Sequence, residues 1–140
     1  MNFLLDTNVV SEPVTRQPNR AVLAWIGRQD PLALYLSVAT CAEIEAGIAT
    51  LPSSRRRSRL DQWRDQLVAS FEDRILLIDL EVARSWASIR ARSAREGAPI
   101  GPMDAFIAAT AEARGLTLIT RNVRDFEAWG GPIFNPWTAD

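Results

Sequence analysis

The stretch Phe3-Leu4-Leu5-Asp6-Thr7-Asn8 carries an apolar strand directly into the start of a helix, with a carboxylate at the junction. Two later stretches repeat this pattern. Residues 34–38 precede a helix that carries Glu43, and residues 116–119 precede Asn122. Short apolar strands that alternate with helical segments are typical of an α/β fold with a mainly parallel sheet.

Hydrophobic periodicity and the positions of proline and glycine predict the individual elements. Gly115 is the expected stop of the last long helix. Strands are predicted at residues 2–5, 34–38, 74–78 and 116–119, with a short edge strand at 132–135. Helices are predicted at residues 8–12, 19–29, 41–51, 54–71, 80–96 and 102–114. The fold class is therefore α/β, with four to five short strands.

The acids near the strand ends are expected to meet in space. The carboxyl ends of parallel strands share one edge of the sheet, and ligands bind at that edge. Asp6, Glu43 and Asn122 all follow strand ends. Asp104 opens the helix that returns to the strand at 116–119, so its start lies at the same edge. Residues that are far apart in sequence should form one site.

Each acid also has an ordinary structural explanation. Asp6 could cap a turn, Thr40 and Glu43 fit a capping box, and Asp104 suits the first turn of a helix. For all three acids at one site, these explanations are less convincing, because carboxylates about 5 Å apart repel by roughly 3 kcal/mol per pair. A cation would offset that repulsion, and oxygen ligands suit Mg²⁺ or Mn²⁺ rather than zinc.

The composition excludes several classes of enzyme. The 140 residues contain no histidine, and all 16 basic residues are arginine. A Ser-His-Asp triad, a Walker P-loop and a lysine Schiff base are therefore impossible. A single cysteine, Cys41, cannot form an internal disulfide. No apolar run approaches membrane-spanning length and no secretion signal is visible, so we expect a cytoplasmic protein with no membrane partner.

Metal sites built from carboxylates typically act on phosphate esters, and nucleic acid is a natural substrate. Arginine, whose planar fork matches phosphate, occurs in two clusters that could hold an RNA backbone. Biased codon usage would also explain why every basic residue is arginine, and simple solvation of two helix faces would explain the clusters. Their members are Arg55, Arg56, Arg57 and Arg59 in the first, and Arg90, Arg92 and Arg95 in the second.

Four motifs, in order along the chain, resemble those of PIN-domain nucleases, specifically the VapC and FitB branch of type II toxins. The motifs are Leu4-Leu5-Asp6-Thr7-Asn8-Val9-Val10-Ser11, Ala42-Glu43-Ile44-Glu45-Ala46-Gly47, Met103-Asp104-Ala105-Phe106-Ile107-Ala108-Ala109-Thr110-Ala111 and Leu118-Ile119-Thr120-Arg121-Asn122-Val123-Arg124-Asp125-Phe126. The ending Phe134-Asn135-Pro136-Trp137 also resembles that branch. The resemblance covers essentially the whole chain, 1–140, as one PIN domain.

The resemblance implies a three-layer α/β/α fold and a metal-dependent endoribonuclease toxin that cleaves RNA by a metal-activated water. It also implies a VapB-type antitoxin partner and a homodimer. The family's metal ligands carry over onto Asp6, Glu43 and Asp104. The fourth acidic position holds Asn122, so either that amide or Asp125 would assist. Three polar residues next to these positions would orient the acids by hydrogen bonds: Thr7, Asn8 and Thr120.

The resemblance further implies a helical clip for the antitoxin, roughly residues 40–71, with Trp63 and Leu67 as candidate anchors. Ordinary core packing would also explain these two side chains. Two rival functions remain open at this point: a phosphatase with Asp6 as nucleophile, and a binding module whose catalytic site has decayed. For a ribonuclease, transfer RNA and ribosomal RNA hairpins are both reasonable substrates, and the sequence does not select between them.

Overall fold

A five-stranded parallel sheet lies at the centre of the computed structural model, which describes residues 1–138. The strands are β1 Phe3–Leu5, β2 Leu34–Ser37, β3 Ile75–Leu76, β4 Thr117–Ile119 and β5 Ile133–Phe134. The helices are α1 Thr7–Val10, α2 Arg20–Arg28, α3 Val38–Ala49, α4 Arg55–Phe71, α5 Leu80–Arg95, α6 Pro102–Arg114 and α7 Val123–Phe126. Short 3₁₀ turns at 12–14, 31–33, 72–74 and 127–129 join some of them.

The two faces of the sheet pack against different helices, which gives three layers. Adjacent side chains of a strand point to opposite faces. Leu4 accordingly belongs to a core with α5 and α6, whereas Leu5 belongs to a second core with α1, α2 and α3. Leu118 and Ile119 on β4 alternate in the same way. The predicted α/β fold with a parallel sheet is confirmed.

The strand order β3-β2-β1-β4-β5 places β1 in the middle of the sheet. Phe3 pairs with Leu34 of β2 on one side and with Thr117 of β4 on the other. The chain therefore leaves β1 toward one edge of the sheet and later returns to its other side. The crevice outside the carboxyl ends of β1 and β4 is the usual ligand site of such sheets.

Two predicted boundaries were wrong. The helix expected at 41–51 begins at Val38, because the Ser37 hydroxyl accepts a hydrogen bond from the Ala39 amide at 3.1 Å and caps it directly at the end of β2. Thr40 is therefore not a cap, and the capping box with Glu43 does not form. The strand expected at 74–78 is only Ile75–Leu76.

Ser37 also connects two helices. Its hydroxyl lies 3.3 Å from the Thr110 hydroxyl on α6, and both side chains are completely buried.

No helix within residues 1–138 has the length and apolar character needed to cross a membrane.

Gly115 ends α6 in the left-handed conformation, at φ 65° and ψ 38°. We expect Gly115→Ala to lower the free energy of unfolding by about 1 kcal/mol, because a Cβ is strained there. Gly47→Ala is the matched control: Gly47 has ordinary helical geometry and nothing lies within 4 Å of an added Cβ. That variant should gain about 0.5 kcal/mol. Urea unfolding measures the free energy of unfolding of both variants. Equal effects of the two substitutions would contradict the left-handed conformation of Gly115.

Candidate active site

Asp6 is buried where β1 ends, and three hydrogen bonds hold its carboxylate. One oxygen accepts from the Thr7 amide at 2.8 Å. The other accepts from the Thr120 hydroxyl at 2.7 Å and from the Asn8 side-chain amide at 3.4 Å. Only 4% of Asp6 is exposed. A buried carboxylate needs such donors, so this side chain has a fixed orientation.

Thr120 is the centre of this network. Its hydroxyl donates to Asp6 and accepts from the Asn122 amide at 3.0 Å and the Asn8 side-chain amide at 3.4 Å. The Asn8 side-chain oxygen Oδ1 in turn accepts from the Arg121 backbone amide at 3.4 Å. The ends of β1 and β4 are thereby tied together through side chains as well as through the sheet.

Glu43 joins the site from α3. Its Oε1 atom accepts a hydrogen bond of 2.8 Å from the Thr7 hydroxyl. Thr7 therefore contacts both acids, donating to Asp6 through its backbone and to Glu43 through its side chain. The structure thus places the predicted residues Thr7, Asn8 and Thr120 against the acids they were expected to orient.

Asp104 lies in the first turn of α6, and its environment disfavours a negative charge. Burial, followed by the negative charges of Asp6, Asp125 and Glu43, raises the pKa of the Asp104 carboxyl to about 6. Burial is also the main reason that the pKa of Asp6 is raised, against the opposing hydrogen bonds from Thr120 and Thr7. The four acids therefore share one neighbourhood and repel one another.

Asp125, rather than Asn122, adds the fourth charge. Asp125 raises the pKa of Asp6 and of Asp104 through its charge. Asp125 also lines a cavity of about 250 Å³, together with Asp104 and Arg124. The Asn122 side chain is exposed, and it forms no hydrogen bond with any residue between 1 and 138. Its backbone, not its side chain, takes part in the network.

The site acids lack positive partners in the described part of the chain. The ion pairs found there use Arg64, Arg74 and Arg114, and none of them reaches Asp6, Glu43, Asp104 or Asp125. The same residues, 1–138, contain no three acidic or cysteine side chains close enough to form a complete set of metal ligands. The oxygen donors are present and share a neighbourhood, but they are not drawn together around a common point.

Three arginines from the predicted RNA-binding clusters have structural contacts. Arg57 donates to the Leu51 carbonyl at 2.8 Å, which ties the start of α4 to the preceding loop. Arg90 and Arg92 donate, each at 2.7 Å, to the carbonyls of Ile100 and Trp129. The other members of the clusters are exposed and lie at the start of α4 or the end of α5: Arg55, Arg56, Arg59 and Arg95.

A groove lies between α3 and α4, and Thr7, the hydrogen-bond partner of Asp6 and Glu43, is one of the residues that line it. This cavity has a volume of about 500 Å³ and a mainly apolar lining. A second apolar cavity, of about 350 Å³, lies between α4 and the start of β2. Trp63 lines both cavities, and Leu67 lines the second. Both side chains are partly buried against the second core, so they pack in the fold and also face the grooves.

Arg121, whose backbone joins the hydrogen-bond network beside Asp6, was not among the predicted site residues. Its position between Thr120 and Asn122, two predicted site residues, could have indicated that it lies at the site. Arg124 was also missed, although it is adjacent to Asp125 and shares the cavity with Asp104.

Comparison with known proteins identifies the relatives of this chain. The model of the PIN domain family matches residues 3–130. The VapC ribonuclease Y4jK of Sinorhizobium fredii is 42% identical over 96% of this chain and 97% of its own length. Toxin FitB of Neisseria gonorrhoeae is 40% identical over 96% of this chain and 98% of its own. The crystal structure of FitAcB from Neisseria gonorrhoeae superposes with a TM-score of 0.92 at 39% identity, covering 98% of this chain and 99% of that chain.

The repulsion at Asp104 predicts a pH-dependent change in stability. The folded protein holds the Asp104 proton up to a pH of about 6, whereas the unfolded chain releases it near 3.8. Stability from this group is therefore full below pH 3.8 and is lost as the pH rises through 6. In EDTA, Asp104→Asn should melt several degrees above wild type at pH 7.5, and the difference should shrink toward pH 4.

Asp73→Asn, at a side chain that is 90% exposed, is the control and should leave the melting temperature unchanged at both pH values. Thermal unfolding followed by circular dichroism measures the three proteins. A lower melting temperature for Asp104→Asn at pH 7.5 would show that the carboxylate stabilises the fold.

Proposed function

This chain belongs to the PIN domain family, and from that premise we propose that it is the ribonuclease toxin of a toxin–antitoxin pair. Its relatives include a protein named VapC ribonuclease and one named toxin FitB, and each aligns with nearly the whole chain. The observation that carries the proposal is the group of four acids, Asp6, Glu43, Asp104 and Asp125, at the crevice beside β1 and β4.

We propose Mg²⁺ or Mn²⁺ as the cofactor. The donors at the site are carboxylate oxygens, which these hard cations prefer. Asp6 and Asp104 would be the principal ligands, and Glu43 would complete the set. A bound cation would supply a Lewis acid that offsets the charge of a phosphodiester and promotes attack by water. The mutual repulsion of the unpaired acids supports this proposal, because a cation would relieve it.

The chain's own residues have separable tasks in this proposal. Thr120 and Thr7 hold the Asp6 carboxylate in one orientation. Thr7 also fixes one oxygen of Glu43 and leaves the other available to accept a proton from the attacking water. Asp125 adds negative charge at the side of the site that Asp104 lines. Exposed arginines at the start of α4 would attract the RNA backbone.

The rival function of a decayed binding module rests on Asn122. The side chain of Asn122 makes no hydrogen bond with the described residues. The four acids of the site share one neighbourhood without any contribution from it. An amide at this position therefore leaves the main acidic group intact, which favours an active enzyme.

We further propose that the partner is a VapB-type antitoxin with an apolar segment that lies in the grooves beside α3 and α4. Trp63 and Leu67 offer apolar surface there, and the groove that contains Trp63 runs to Thr7 beside the acids. A segment in this groove would approach the active site and block RNA. A homodimer is part of the same proposal and rests on the family resemblance. We also propose a cytoplasmic location, which the single free cysteine Cys41 fits.

Cleavage of RNA should depend on Glu43 far more than on its neighbour Glu45. Both lie on α3, but Glu45 is exposed and pairs with Arg64 on the surface. In Mg²⁺ or Mn²⁺, Glu43→Gln should lower the cleavage rate of a transfer RNA or a ribosomal RNA hairpin by about 100-fold or more. Glu45→Gln should cleave at the wild-type rate, and EDTA should stop all cleavage.

Cleavage that survives in Glu43→Gln would remove that residue from the mechanism. The absence of cleavage by folded wild-type protein on both RNA classes, with either metal, would instead favour the binding module.

Binding of the cation can be detected without any reaction. At pH 7.5, millimolar Mn²⁺ should raise the melting temperature of the wild type, because a ligand of the folded state stabilises it by mass action. Asp104→Asn should lose most of that increase, whereas Asp73→Asn should keep it. Equal increases in all three proteins would place metal binding elsewhere.

A further inference from the structure

Arg121 occupies a position directly beside the acids without neutralising them. Its backbone amide donates to Asn8, and Asn8 donates to Asp6 at 3.4 Å. Its side chain forms no ion pair with any of the site acids in residues 1–138 and lies instead over the ring of Trp137. The Arg121 guanidinium is therefore exposed next to the carboxylates rather than paired with them.

An aromatic ring holds this side chain. The Arg121 guanidinium lies over the ring of Trp137, 5.4 Å from its centroid. The Trp137 amide donates to the Asn135 side chain at 2.9 Å, and the Trp137 ring packs against the second core. Just before this turn, Phe134 stacks on Trp25 with ring centroids 5.7 Å apart. The platform under Arg121 is thus anchored in the interior of the protein.

Arg121 differs from the arginines that have polar partners within the fold. Arg64 and Arg114 pair with carboxylates, and Arg57, Arg90 and Arg92 donate to backbone carbonyls. Arg121 forms no ion pair and no side-chain hydrogen bond with any residue from 1 to 138, and it is exposed. A guanidinium that lies over an aromatic ring keeps its N–H groups available to a further partner.

We propose that Arg121, held on the face of Trp137, binds an RNA phosphate next to the one that is cleaved. This inference rests on the proposed ribonuclease function. The acids that would act on the scissile phosphate also repel the polyanionic strand around it. A positive charge fixed at the border of the acidic group would counter that repulsion and set the strand's position. A preoriented planar fork suits a phosphate and loses little conformational entropy on binding.

RNA explains this arrangement better than a carboxylate of a protein partner. The apolar grooves that would receive a protein segment run from Thr7 along α4, and Arg121 and Trp137 line neither of them. Arg121 follows β4 instead, on the side of the sheet where β5 lies. A strand that crosses the carboxyl edge over β1 and β4 would meet it.

Binding of a fluorescent single-stranded RNA by the whole protein, in EDTA and over a series of salt concentrations, tests the proposal. Removal of one phosphate-binding charge should reduce the slope of log affinity against log salt by about 0.7. Arg121→Gln should show that reduction and bind about ten-fold more weakly. Arg84→Gln removes the same charge from an exposed site on α5 and should keep both the slope and the affinity.

Two further variants separate charge from geometry. Arg121→Lys keeps the charge, so its slope should match wild type, but it loses the planar fork and should bind several-fold more weakly. Trp137→Phe keeps an aromatic face and should bind like the wild type. In Mg²⁺ or Mn²⁺, Arg121→Gln should raise the KM for RNA, while its melting temperature and its affinity for an antitoxin peptide stay unchanged.

An Arg121→Gln variant whose salt slope and KM equal those of Arg84→Gln would overturn the inference, even if the wild type cleaves RNA. A loss confined to antitoxin binding would overturn it as well, in favour of a carboxylate contact. If the wild type cleaves no RNA but the difference in slope persists, the phosphate contact stands and the proposed ribonuclease function fails.

Discussion

The buried carboxylate of Asp6 is the constraint on which the site depends. Burying an ionised group is costly unless hydrogen bonds replace the water that hydrated it. The donors that meet this need come from Thr7 and Asn8, just after β1, and from Thr120, just after β4. These bonds fix the relative position of the ends of two neighbouring strands. Glu43 is then placed through Thr7, and the backbone of Arg121 through Asn8.

The sequence predicts the elements well where short-range rules determine them. Gly115 ends α6 as expected, because a left-handed residue is needed there, and Ser54 caps α4. The prediction failed at the start of α3, because two candidate caps stand close together there. Ser37 is the cap, through its hydrogen bond from the Ala39 amide, and its contact with the buried Thr110 hydroxyl 73 residues later favours it over Thr40 in a way that no local pattern displays. The structural roles of Arg57, Arg90 and Arg92 were hidden because their acceptors are backbone carbonyls, which leave no signature in sequence.

The placement of the acids also shows what a sequence can and cannot establish. The rule that parallel strands share a carboxyl edge was sufficient to bring Asp6, Glu43 and Asp104 together. It could not distinguish Asn122 from Asp125, because that choice depends on how α7 turns after β4. The outcome is a group of like charges that no arginine in residues 1–138 relieves. Sites that violate local rules of stability in this way are often functional.

The position of β1 in the sheet has a consequence for the synthesis of the protein. β1 is made first, yet it needs β4 as its neighbour, and Asp6 needs the hydroxyl of Thr120, 114 residues later. A nascent chain that lacks β4 can pair β1 with β2 but not with β4, and it lacks the Thr120 hydroxyl that orients the Asp6 carboxylate. The active site is therefore assembled only when most of the chain has left the ribosome. A translation product that ends before β4 would carry Asp6, Glu43 and Asp104 but not the bond that orients the first of them, so we expect it to lack the proposed activity.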